Sequence, residues 1–144
     1  MEQMHISALA VLVAVIANFI FGSLWYMPLF GKAWAKEMGF DPNGPKPATS
    51  VMVKGMTFMV IGNFLMAWVL AHNMAAWNFV PGVKEMGALS NTISAGVFTW
   101  VGFYLPVDLG GVAWSKHSWK LFGINTGYHL IMTLIAAGIL AYMA

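Results

Sequence analysis

Strongly apolar stretches occupy residues 6–27, 51–71, 86–107 and 121–144, and most of the charged and proline positions collect between them. Each stretch can form a helix across a hydrocarbon core of about 30 Å, which takes roughly 20 residues. None shows the period-two alternation of barrel strands, and in lipid each backbone polar group must be paired inside its own helix or a closed barrel. The pattern predicts an all-α membrane protein with four transmembrane helices. Residues 1–144 form one integral membrane domain, expected as a four-helix bundle, and nothing is left over for a soluble domain.

The polar punctuation adds detail. Pro28 has no N–H and pushes Met27 out of the helical region, so the first helix is expected to end there. Beyond it Phe30, Trp34 and Met38 share one face at helical spacing while Lys32, Lys36 and Glu37 take the others, the pattern of a short helix lying in the interface. Gly39 can close that helix. A turn-rich connection from Asp41 to Pro47 follows, and Thr49 or Ser50 can cap the second helix. The next connection, residues 72–85, carries Trp77 and Phe79 beside Pro81 and Gly82 and is expected to touch the opposite interface. The last, residues 108–120, holds Trp114 and Trp119, with Ser115 or Ser118 as the cap of the fourth helix. Residues 1–5 lack the basic flank of a signal peptide and no small-residue cleavage site follows, so the first run is expected to stay as a helix.

Composition agrees: 60% of residues are hydrophobic and 8% charged, against about 25% charged in soluble domains. The absence of cysteine excludes disulfides, iron–sulfur clusters and thiolate nucleophiles. Every basic residue is a lysine. Lys32, Lys36, Lys46 and Lys54 follow the first helix, Lys116 and Lys120 lie between the third and fourth, and the opposite side has Lys84. The positive-inside rule puts the lysine-rich loops in the cytoplasm and both termini on the non-cytoplasmic side, with the bacterial inner membrane as the expected location. Trp25, Tyr26, Trp34, Trp100, Tyr104, Trp114 and Trp119 make an aromatic belt on that face. The lysine excess reads as a topology signal, and nucleic acid is not an expected partner.

A repeat is also legible. Tyr26-x-Pro28-x-x-Gly31-x-Ala33-Trp34 is echoed by Tyr104-x-Pro106 followed by Gly111-x-Ala113-Trp114, and Lys54 and Asn63 have the spacing of Lys120 and His129. The chain reads as two duplicated helix–loop–helix units related by an axis along the membrane normal. Gly22-x-x-Trp25-Tyr26-x-Pro28 with Phe30-Gly31-x-x-Trp34, Trp100-x-Gly102-Phe103-x-x-Pro106, and Lys120-Leu121-x-x-Ile124-Asn125-x-x-Tyr128 together resemble the DUF1761 group of small bacterial integral membrane proteins over nearly the whole chain. That resemblance implies four helices and assigns no chemistry.

Candidate chemistry is sparse. Asn18, Asn63, Thr99 and His129 fall near the middle of their own helices, and polar side chains at that depth turn inward. Asn125, Thr126, His129 and Thr133 share a stripe of the fourth helix, and Gly123 and Gly127 permit close approach of a neighbour. Asn18, Asn63, Thr99, Asn125 and His129 are therefore the candidate intramembrane polar site, either a binding site or relay centred on His129 or, the favoured reading, packing through interhelical hydrogen bonds worth about 0.6 kcal/mol each. Asp108 is read as a rim ion pair with Lys116 or Lys120, and His117 as a solvated loop residue. His5 and His72 at one depth leave a small opening for a metal or haem, but neither HxxxH nor a nearby carboxylate supports it, so no metal site and no cofactor are expected. No phosphate loop, nucleophile elbow or paired-carboxylate site is present, and no catalytic residue is assigned. The expected function is a structural or interaction module that contacts membrane lipids and self-associates, with a dimer favoured, or serves as an accessory subunit of a larger membrane complex. The alternative is a transporter-like or lipid- or small-molecule-binding module around His129.

Overall fold

The computed structural model describes residues 3–144. These residues are all-helical, with no strand among them: α1 (Ala8–Leu24), α2 (Gly31–Glu37), α3 (Thr49–Trp77), α4 (Gly87–Thr99), α5 (Leu105–Trp114) and α6 (Trp119–Tyr142). Two π-helical segments, Trp25–Leu29 and Trp100–Tyr104, continue α1 and join α4 to α5. Four helical stretches are long and apolar enough to cross a membrane: Ala8–Leu29, Thr49–Trp77, Lys84–Trp114 and Trp119–Tyr142.

The helices run further than the apolar pattern alone suggests. Pro28 does not stop the first one. It sits inside a widened turn in which Phe30 N–H reaches Trp25 O over 2.8 Å. The i→i+5 register absorbs the proline ring and its missing donor, the usual origin of a π bulge next to a helix breaker. The short helix α2 follows and closes at Gly39, whose φ of 82° is a left-handed value that glycine adopts without a Cβ penalty. Neither Thr49 nor Ser50 caps α3. Ala48 occupies that position with no side-chain bond. The expected connection at 72–85 shrinks because α3 continues to Trp77. The expected connection at 108–120 shrinks to residues 115–118, because Pro106 starts α5 instead of ending the span. Of the two candidate serines, Ser118 caps α6, its Oγ accepting Leu121 N–H at 3.1 Å.

The interior is organised on α6. It packs along α1 on one side and along α4 on the other, and α3 lies against α1. Ala10, Val11, Ala14 and Val15 of α1, Ala67, Leu70 and Ala71 of α3, and Ala136, Ala137 and Leu140 of α6 form the core at the end opposite the lysine-rich loops. Alanines at these crossings let the backbones come close, as small residues do between membrane helices. Gly96 does the same between α4 and α6: a Cβ there would stand 2.7 Å from Leu134 Cδ2 and 3.1 Å from its Cα. The four spans pack around α6, and α3 and α4 meet only sparsely. That open seam holds a cavity of about 530 Å³. A π segment occurs in the first and in the third span, and the two halves do not pack equivalently.

Candidate functional site

The π segments place aromatic donors against α6. Trp25 Nε1–H donates to Ile124 O at 3.0 Å, and Trp100 Nε1–H reaches Thr126 O and Oγ1, each at 3.0 Å. Each tryptophan is the first residue of its π turn. Two indoles from different spans therefore clasp one short stretch of α6. An indole N–H needs a partner away from water, and a widened turn aims it sideways at a neighbour.

Within this clasp lies an aromatic and polar cluster. Tyr26 Oη–H donates to Asn125 Oδ1 at 2.7 Å. The Tyr26 and Tyr128 rings meet edge to face at 5.0 Å, Phe21 stacks on Tyr128 at 5.6 Å, and Tyr104 lies 4.6 Å from the His129 ring. The Asn63 amide lies within hydrogen-bonding reach of the Tyr128 hydroxyl. Gly22 gives that hydroxyl room, since a Cβ there would stand 3.1 Å from it.

At the centre, His129 Nδ1 and Asp108 Oδ2 are 2.7 Å apart. Against an ionised carboxylate, which only accepts, the imidazole Nδ1 would carry the hydrogen of this bond. The Asp108 side chain is 9% exposed and that of His129 24%. Asp108 is therefore not a rim residue paired with Lys116 or Lys120. It lies inside the helical span, on α5, and its partner is a histidine of α6. Next to it, on the lysine-rich side, is a cavity of about 470 Å³ whose lining includes Asp108, Asn125, His117, Trp114 and Phe122. His117 is not a free loop residue either: its N–H bonds Gly111 O at 3.1 Å, and a Cβ on Gly111 would stand 2.6 Å from its Nδ1.

The residues expected to form one polar site are distributed among three places. Asn125 and His129 belong to the cluster just described, and Asn63 borders it through Tyr128. Asn18 is fully buried; its Nδ2–H donates to Met132 O at 3.2 Å while its Oδ1 has no partner. Thr99 lies elsewhere, lining the seam cavity between α3 and α4 with Asn91 and Ser94. Among the expected anchors, Trp25 and Tyr26 are cluster residues, Tyr104 packs on His129, and Trp114 stands at the cavity mouth with 90% of its surface exposed. Trp34 packs on Tyr26 and Phe40, and Trp119 on Phe122. His5 lines the seam cavity, whereas His72 Nδ1–H bonds Trp68 O at 2.7 Å. The resemblance to a packing stripe holds only in part along α6: Gly127 receives the Trp25 indole, and Gly123 has nothing near it.

Asp108 and the tyrosines are the functional candidates that the apolar pattern hid. A signal was present: proline in the first turn followed by an acidic residue is the composition of a helix start, and Leu105-Pro106-Val107-Asp108 has it.

No curated protein and no solved structure is similar to the chain. Residues 9–141 match the family described as a protein of unknown function, DUF1761, and the chain belongs to that family.

Proposed function

We propose that this chain is a membrane-embedded binding module of carrier type that takes a small polar solute at the Asp108–His129 pair. The observation that carries this reading is the 2.7 Å pair itself, whose Asp108 lines an open cavity. Ionisable groups at such depth are costly and mark ligand or ion paths more often than packing. Packing alone needs no carboxylate, because well-packed apolar side chains of similar volume are often at least as stable as a buried charged pair. The lysine-rich end then faces the cytoplasm of a bacterial cell, so the cavity opens inward, and both termini lie outside.

Native mass measurement of the protein purified in a mild detergent tests the reading. A bound small molecule retained by the parent protein is expected to be lost from Asp108→Asn and His129→Gln, with helical content unchanged. Equal ligand content in all three proteins, together with higher stability of the variants, would return the pair to packing.

Self-association as a dimer is the assembly we attach to this reading. Gly55 and Gly62 fall on one face of α3 with nothing near them in the chain, and small residues are enriched where membrane helices meet.

A further inference from the structure

The chemical class of the solute follows from the cavity's own atoms, and it rests on the binding reading above. His129 occupies Asp108 Oδ2, and among the described residues no hydrogen bond reaches Oδ1. Among the described residues the one sealed side-chain atom without a partner is Asn18 Oδ1, so the Asp108 oxygen is open to the cavity it lines. Asn125 is similarly half-committed. Its Oδ1 accepts from Tyr26, and among the described residues its amide N–H groups have no acceptor. The lining holds one carboxylate and no lysine; His117 is its other titratable side chain. Trp114, Phe122 and Val107 supply the walls.

We infer that this cavity takes an ammonium cation, carried by a small amine or by a lipid headgroup, with Asp108 Oδ1 as its charge partner. A free carboxylate oxygen complements a positive N–H donor, and such charge-assisted bonds are short and strong. The faces of Trp114 and Phe122 attract a cation through their ring quadrupoles. The Asn125 N–H groups ask for an acceptor on the same ligand, such as a hydroxyl or a phosphate oxygen. An anion would instead meet the carboxylate with only the amide and His117 to offset it. Trp114 stands at the interface end of the span, where a headgroup or a dissolved amine has equal access.

The test uses the full chain in nanodiscs of phosphatidylglycerol, titrated with phenylethylamine, phenylpropionate and phenylethanol, and read by native mass spectrometry and thermal unfolding. Phenylethylamine is expected to bind at least tenfold more tightly than the other two. Asp108→Asn should abolish that preference. Trp114→Ala, at an exposed position that folding does not need, should weaken amine binding severalfold without lowering the unfolding midpoint. Discs containing phosphatidylethanolamine separate the sources: competition with the amine assigns the site to a headgroup, and undiminished amine binding assigns it to a free solute. Phenylpropionate or phenylethanol binding as tightly as the amine, and still requiring His129, would overturn the cation while leaving the binding site in place. No association of any probe or of phosphatidylethanolamine with the folded protein would overturn both.

Discussion

The Asp108–His129 contact decides how the polar residues of this chain behave singly. Removing one member of a low-access hydrogen-bonded pair that includes a carboxylate leaves the other without a partner, at about 3–5 kcal/mol for full burial. His129 is about a quarter exposed, so a loss of about 1–3 kcal/mol is expected for His129→Leu. The double variant Asp108→Asn with His129→Leu should recover part of that loss, because the uncompensated carboxylate is gone. Unfolding in mixed micelles across the four-protein cycle measures this, and a double variant less stable than either single one would mean that the two side chains do not act as a pair. His129 was legible from the sequence because it is a polar residue in the middle of an apolar run. Asp108 was not, because apolar periodicity ends a helix at the first proline and charge, whereas tertiary packing on α6 carries this one through both. Thr99 lies apart from the others, at the seam cavity, because a similar position along a helix says nothing about which face a residue takes.

At the scale of the element, the π turns and the close crossings carry the architecture. Gly96 has no room for a methyl group, since it would meet the Leu134 backbone as well as its side chain. Gly96→Ala is therefore expected to destabilise by about 1–3 kcal/mol through overpacking, despite the gain in helix propensity, and to loosen α4 from α6. Hydrogen exchange confined to those two helices would locate the effect; uniform protection equal to the parent's would contradict it. The turn between α5 and α6 offers the opposite case. Lys116 is held at φ 56°, a left-handed value that disfavours a side chain by roughly 1–2 kcal/mol. Lys116→Gly should relieve that strain and raise the unfolding midpoint, offset in part by the freer unfolded chain. A lowered midpoint would show that the lysine's own contacts outweigh its backbone. The four spans could be read from hydrophobic run length, and the short helix α2 from the spacing of Phe30, Trp34 and Met38. The π turns could not, because a proline next to aromatics is compatible with either a stop or a widened turn. What decides between them is whether a neighbouring helix supplies carbonyls for the indoles.

The whole molecule is held by one helix. Since α6 packs on both α1 and α4 while α3 leans mainly on α1, the α3–α4 side stays open and much of α3 has no neighbour in the chain. An apolar face is no sign of a partner in lipid, because acyl chains solvate it as well as another helix does. Glycines are different: each weakens a helix by about 1 kcal/mol relative to alanine and supplies no surface of its own, so Gly55 and Gly62 bring nothing to a lipid-facing helix. A second copy of α3 laid against them would bury backbone that lipid cannot reach closely. On that arrangement Gly62→Leu should not lower the unfolding midpoint of the monomer, since nothing lies within 4 Å of a Cβ placed there and the glycine's helix penalty is removed, and it should reduce the dimer fraction. Gly96→Leu, by contrast, should damage the fold itself. Cross-linking in native membranes at matched expression separates the two effects. A Gly62→Leu protein that cross-links as well as the parent would assign this face to lipid, and the ammonium site would then belong to each chain alone.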